Sequence, residues 1–325
     1  MTAGVFGAAV LAAVLGLALG GPYLLRSAAP MLVRAPRVAT AVILSAVAVW
    51  LGALLAIGPV LAWTATGPAL IPAGAAAVCR RCLDAATPFA IGAFQTPVPA
   101  ALLLALPVAA SAVLLVAFLA ALRARQEVTR GSARRMRDQA RRRRVAGRDV
   151  HVIDDEHPFA IAFSSSLGGI VLSTSALDAL DARELAAVLA HEEAHVRQRH
   201  HLIVSLSGSL RAVLGWVPLV SAAADAIPHY LEIAADNRAR ASVGTSALVS
   251  ALLKLGEAPR QSGGVEFAGA LHATGPQRIP QLVRPSRGLA GAAAAGMVAM
   301  VLAAVAALGA TGHLAYLAAA LTGCF

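Results

Sequence analysis

The sequence predicts a mainly α membrane protein with about four transmembrane helices. Between the third and fourth it predicts a cytoplasmic α+β domain with a small sheet. Three observations carry this. Of 325 residues, 58% are apolar and only 14% charged, a balance typical of membrane proteins. Four stretches are apolar for long enough to cross about 30 Å of hydrocarbon as helices. Polar residues in strand and helix patterns return only within residues 150–288.

The spans are expected over Ala3 to Leu19, ending at Gly20-Gly21-Pro22, then Val38 to Trp63, Val98 to Leu122, and Leu289 to Leu308. The first lacks a charged leading segment and is long for a signal peptide, so it reads as a retained anchor. The chain thus divides into a membrane domain with three spans (1–122), a basic juxtamembrane linker (123–149), the polar domain (150–288), and a last span with a short tail (289–325).

Charge orients these pieces. The formal charge is +10, and Lys254 is the only lysine. Eleven arginines lie between 123 and 148, against Glu127 and Asp138, and Arg26, Arg34 and Arg37 follow the first span. The loop over 64–97 has only Arg80 and Arg81, opposed by Asp84. The positive-inside rule then places residues 123–288 in the cytoplasm and both chain ends outside. The run Arg141–Arg144 has no interleaved aromatics, so it reads as an orientation signal touching anionic lipid, and no nucleic-acid partner is expected. Cys79 and Cys82 form a lone C-x-x-C, which supplies two ligands where a structural zinc needs four. A disulfide between them, or no bond, is the expected state.

Within the polar domain, "HPFAIAFSSSLGGIVLSTSAL" predicts short strands over Phe159 to Ser164 and Gly169 to Ser173. Asp181 with Glu184 three residues on has the form of a capping box. Leu185, Val188 and Leu189 then recur at helical spacing.

That helix carries "HEEAH" over 191–195. Histidines four apart project from one helix face, so His191 and His195 can reach one tetrahedral ion. Glu192 lies beside such an ion, where its carboxylate can take a proton from an attacking water. A catalytic zinc needs a third protein ligand and an open position. A second helix is expected over "PHYLEIAADNRAR", with Pro228 in its first turn. Glu232 and Asp236 sit four apart there, a repulsive spacing. It makes sense if Glu232 binds the metal while Asp236 accepts a hydrogen bond from a ligand histidine. The alternative is an exposed acidic face, with Asp236 paired to Arg240. Asp225, Glu257 and Glu266 are rival third ligands, without a partner carboxylate at helical spacing. His200 and His201 follow too closely to complete the tetrahedron and read as interfacial or hydrogen-bonding groups, and Glu193 reads as solvated. The apolar segment Leu202 to Ile227 is too short for two crossings and contains Arg211. It is expected to form a core or membrane-surface helix, broken near Gly215 or Pro218.

"AFSSSLGGIVLSTSALDALDARELAAVLAHEEAHVRQRHHL" followed by "LEIAADNRAR" resembles the membrane gluzincin peptidases, the BlaR/MecR-type sensors and the related HtpX and Ste-type proteases. The resemblance covers about residues 150–285. It implies one zinc held by His191, His195 and Glu232, Glu192 as catalytic base, and Asp236 behind the ligands. It also implies that Ala162, Phe163, Ser164 and Ser165 bind substrate as an extended strand. Some relatives carry a His-Pro and then an Arg near the end of the domain; "HATGPQRI" has His272 and Arg278 there without the His-Pro pair, and the resemblance implies Arg278 as a further substrate contact. No S-x-x-K module follows the fourth span, so a β-lactam receptor is not expected.

The sequence therefore predicts a zinc endopeptidase acting on cytoplasmic or membrane proteins, in contact with membrane lipid. Two other readings share the motif: a transducer that cleaves one cytoplasmic regulator, and a non-catalytic scaffold.

Overall fold

The computed structural model describes residues 3–66 and 100–256. The expected fourth span, all three cysteines, Glu257, Glu266, His272 and Arg278 lie outside the described residues.

Three long helices begin the described chain: α1 (Ala3–Leu32), α2 (Pro36–Thr66) and α3 (Ala100–Gln139). Each is long and apolar enough to cross a membrane. All three exceed their expected bounds, α2 by a few residues and the other two by many. α1 does not stop at Gly20-Gly21-Pro22 but continues through Pro22 and Pro30, as apolar helices can when neighbouring helices support the interrupted turn. Gly21 meets such a neighbour, since a Cβ there would lie 2.5 Å from Leu219 Cδ1.

α3 runs 17 residues beyond Leu122, through much of the basic segment expected to be a linker. Ala133 and Met136 of α3, with Ala140 just past its end, pack against the sheet. Arg134, Arg135 and Arg137 fall between them and are exposed. The run expected to touch lipid then forms strand β1 (Arg141–Val145), its four arginines exposed. Ala146 and Gly147, both with positive φ, turn it into β2 (Arg148–Ile153), the backbone that a two-residue hairpin requires.

The sheet is completed by β3 (Ala160–Ala162) and β4 (Ile170–Ser173), in the order β1-β2-β4-β3. β2 and β4 are parallel and the other pairs antiparallel. Period-2 alternation divides the side chains between two faces. Val150, Val152, Ile170 and Leu172 pack toward α5 (Ala182–Arg197) and α8 (Thr245–Gly256). Ile153, Ile161 and Val171 pack toward Ala133 of α3. A short helix, α4 (Thr174–Ala179), joins β4 to α5.

The expected capping box is present. Asp181 Oδ1 accepts from the backbone N–H of Arg183 and Glu184 at 2.7 and 2.8 Å, and Glu184 Oε2 accepts from that of Asp181 at 2.7 Å. Glu184 also receives Lys254 Nζ at 2.7 Å and Ser250 Oγ at 2.5 Å from α8. One carboxylate thus caps α5 and anchors the last described helix.

After α5, the chain forms a hairpin of α6 (His200–Leu214) and α7 (Pro218–Val243). The break falls at Gly215 to Val217, within the expected stretch. α7 begins earlier than expected, so Pro228 is interior rather than in the first turn. Pro218 supplies the favoured first position, and packing of Leu219, Val220, Ala223 and Ile227 against α1 and α2 offsets the hydrogen bond that Pro228 cannot make. Arg211 of α6 pairs with Asp225 of α7. The hairpin tip reaches far along α1. Leu219 lies against Gly21, about 16 Å from the helix end at Leu32 by helical rise. Trp216 at the tip is 79% exposed.

The Lys254 and Ser250 hydrogen bonds, with the Asp181 N–H, hold the Glu184 carboxyl down at about 2 against an ordinary 4.5. A depressed folded pKa adds stability above the unfolded value and loses it as pH falls through the folded one. Glu184→Gln should therefore cost roughly 1–3 kcal/mol near neutrality. In chemical denaturation, the gap from wild type should close as pH falls from about 4.5 toward 2. A gap independent of pH would remove the ionised carboxylate from the account.

Candidate metal centre

Two helices build the centre, α5 with "HEEAH" and α7 with Glu232 and Asp236. They cross because α5 buries small residues on its α7 side. Ala187 and Ala190 meet Ala239 of α7 and Leu248 of α8. Helices faced with alanine approach closely, which brings short carboxylate side chains within reach of imidazoles.

Three side chains converge. His191 Nε2 lies 3.0 Å from His195 Nε2. Glu232 presents Oε2 to His191 Nε2 and Oε1 to His195 Nε2, each at 3.4 Å. Ligand bonds of about 2.0–2.1 Å in a tetrahedron put neighbouring ligand atoms about 3.3 Å apart. The observed spacing fits a zinc-sized ion with two imidazoles and one carboxylate. Among the described residues, His191, His195 and Glu232 are the cluster that can hold a metal ion.

Charge points the same way. His191 is fully buried, and burial alone would push its imidazole down. The adjoining carboxylates of Asp236 and Glu232 outweigh it and raise the group to about 10. The site thus favours a positive charge at this point, which either a proton or a metal cation supplies; metal binding displaces the proton. Asp236 Oδ1 is 3.0 Å from His191 Nδ1, so an N–H there leaves the Nε2 lone pair facing the cluster. Glu192 is 1% exposed, in the next position on α5.

The other candidates separate clearly. Asp225 is engaged with Arg211. Glu193, expected to be solvated, accepts from Arg148 Nε of β2 at 3.1 Å and lies 3.4 Å from Arg197 NH1. Asp236 is 1% exposed, and its contact is His191 rather than the Arg240 of the acidic-face alternative. Arg240 donates to Asn237 at 3.2 Å. His200 is buried behind His195, and burial pushes its imidazole down to about 4, leaving it neutral near physiological pH.

A groove of about 680 Å³ opens onto the cluster. It is lined by His195 and Glu232, by Ala162, Phe163 and Ser164, and by Arg125, Thr129 and Ser132 of α3. β3 is an edge strand. Its ladder ends at Ala162, and Ser165 begins a single 3₁₀ turn over Ser165–Leu167. Ser165 is not among the groove residues, whereas Ser166 and Leu167 are. The strand is shorter than expected because Gly168 and Gly169, both at positive φ, fold the chain back after one turn. The wall formed by α3 was not foreseen. Its signal was the spacing of Thr129, Ser132 and Ala133 among the arginines.

Comparison with known proteins finds likenesses to metallopeptidases over part of the chain. Residues 126–229 match the model of peptidase family M48. The match takes in His191, Glu192 and His195 and stops short of Glu232. Seventy residues are 37% identical to a "Protease HtpX homolog" of Acidiphilium cryptum, covering 21% of this chain and 24% of that protein. Seventy residues are 39% identical to "Protease HtpX homolog 1" of Saccharolobus solfataricus, covering 21% and 22%. The chain thus spans about a quarter of the length of the curated relatives it matches. No solved structure matches it. These likenesses support the HtpX side of the resemblance to membrane zinc metallopeptidases and carry nothing particular to BlaR-type sensors.

Proposed function

We propose, from the M48 likeness, that this chain is a membrane-embedded zinc endopeptidase that hydrolyses peptide bonds of cytoplasmic or membrane proteins. The observation that carries the reading is the convergence of His191 Nε2, His195 Nε2 and a Glu232 carboxylate at 3.0–3.4 Å, with Glu192 buried beside them.

His191, His195 and Glu232 would hold the ion and Asp236 would orient His191. Zinc supplies a Lewis acid that brings a water's pKa toward neutrality and polarises a carbonyl. The chain's own groups do the rest. Glu192 takes a proton from the attacking water and hands it to the leaving amine nitrogen. Its burial keeps the carboxylate out of bulk solvent, where the transfer would compete with solvent exchange. The open edge of β3, with Phe163 and Ser164 beyond it, offers backbone groups to a peptide lying extended in the groove. α3 continues from its apolar span into the groove wall, so substrate would enter beside the membrane surface. Arg278 is retained as a candidate substrate contact, outside the described residues.

Substitution separates ligand from base. Purified wild type should hold about one zinc per chain. His191→Ala, His195→Ala and Glu232→Ala should lose zinc and peptidase activity together, whereas Asp225→Ala should keep both. Glu192→Gln should keep zinc and lose activity by a factor of about 10² or more. Full activity in Glu192→Gln, or unchanged zinc in Glu232→Ala, would overturn the assignment.

We further propose that the peptidase domain faces the cytoplasm, on the strength of the arginines that follow Leu122. Asp138, near the end of α3, is exposed and serves as the probe position. Asp138→Cys should resist a membrane-impermeant thiol reagent in sealed cells and react once the membrane is opened, while Cys79, Cys82 and Cys324 react from outside after mild reduction. Labelling of Asp138→Cys in sealed cells would reverse the orientation.

A further inference from the structure

The step from His195 to His200 leaves helical geometry. α5 ends at Arg197, Arg199 adopts a left-handed backbone with φ 54°, and α6 starts at His200. That conformation is unfavourable for a residue with a Cβ. Here it turns the chain so that the side chain of His200, 3% exposed, comes back under His195. The two Nδ1 atoms are 2.9 Å apart. His200 Nε2 lies 3.2 Å from Gln198 Oε1, and Arg37 Nε, at the start of α2, donates to the same oxygen at 3.0 Å.

The hydrogens along this chain can be assigned from its far end. A guanidinium only donates, so the Gln198 atom facing Arg37 is the carbonyl oxygen, and the amide orientation is set. That oxygen only accepts, so His200 Nε2 carries a hydrogen. An imidazole that carries its hydrogen at Nε2 has its lone pair at Nδ1, so the hydrogen in the 2.9 Å contact between the two rings belongs to His195 Nδ1. His195 is left with its lone pair at Nε2, the nitrogen that faces His191 and Glu232.

From this we infer that Arg37, Gln198 and His200 form a positioning relay that fixes the tautomer and ring plane of His195 as a metal ligand. The two ligand histidines are thus held by different means. His191 leans on the carboxylate of Asp236, whereas His195 leans on the imidazole of His200. The relay also ties one ligand to the first turn of α2, so a movement of the membrane helices would be felt at the metal.

This inference rests on the zinc reading, and its test tells the two apart. The full chain, purified in detergent, is titrated with zinc against a chromophoric chelator, and the Co²⁺-substituted protein gives the ligand-field spectrum. His200→Ala should weaken zinc by about 10- to 100-fold and change the cobalt spectrum. His200→Asn, whose amide oxygen can accept from His195 Nδ1, should recover most of the affinity. Arg37→Gln should weaken zinc in the otherwise wild-type chain and have no effect in the His200→Ala background, because its influence passes through that ring. Unchanged affinity in His200→Ala, no recovery in His200→Asn, or an Arg37→Gln effect of equal size in both backgrounds would overturn the relay. Should His200→Ala not fold, wild-type affinity in Arg37→Gln would overturn it equally. A wild-type chain without affinity for zinc would instead overturn the metallopeptidase proposal.

Discussion

The packing of α5 on α7 places His191, Glu232 and Asp236 together in the interior, and the remainder of the domain serves that juxtaposition. Buried ionisable groups are tolerated only when they face partners. Here the partners come from helices joined by a long hairpin, so neither helix can shift by a turn without leaving a charge unpaired. The contacts between Ala187 and Ala190 on α5 and Ala239 on α7 allow the approach. The polar groups then fix its register, since an alanine surface alone would accept several.

The two helices are held from opposite sides. α5 is fixed at its start by the Asp181–Glu184 box and by Lys254 and Ser250, and along one face by the sheet. α7 is fixed by the helices read as membrane spans, through Leu219, Val220 and Ile227 against α1 and α2. The site thus lies where a sheet-bearing domain and an apolar helix pair meet. This explains why its groove has one wall from β3 and another from α3. Arg37 at the start of α2, reaching Gln198, extends the same logic to single hydrogen bonds.

Much of this was legible in the residues. "HEEAH" and the Glu232/Asp236 pair each needed only helical spacing to be noticed, and the fold brings the two sets together. The capping box was legible because it is local, with both partners within one turn. The ends of elements were not. Gly20-Gly21-Pro22 reads as a stop, yet the contact between Gly21 and Leu219 comes from a residue nearly two hundred positions away. Pro228 reads as a start, and long-range packing again overrides it. Four consecutive arginines have no strand signature. They form one because Val150 and Val152 of the partner strand are buried and Ala146-Gly147 can adopt the hairpin turn. The environment of His200 was legible only in part. Its proximity to the motif excluded it as a ligand, but the left-handed Arg199 that turns it under His195 leaves no mark in composition or periodicity.

The central claim is that two imidazoles and one carboxylate converge on a single zinc ion, and X-ray absorption at the zinc edge of the purified chain tests it most directly. The account predicts a shell of nitrogen and oxygen at about 2.0–2.1 Å, with the outer-shell scattering of two imidazole rings, losing one ring in His195→Ala. Sulfur scattering at about 2.3 Å, which would move the metal to Cys79 and Cys82, or a shell without imidazole, would contradict it.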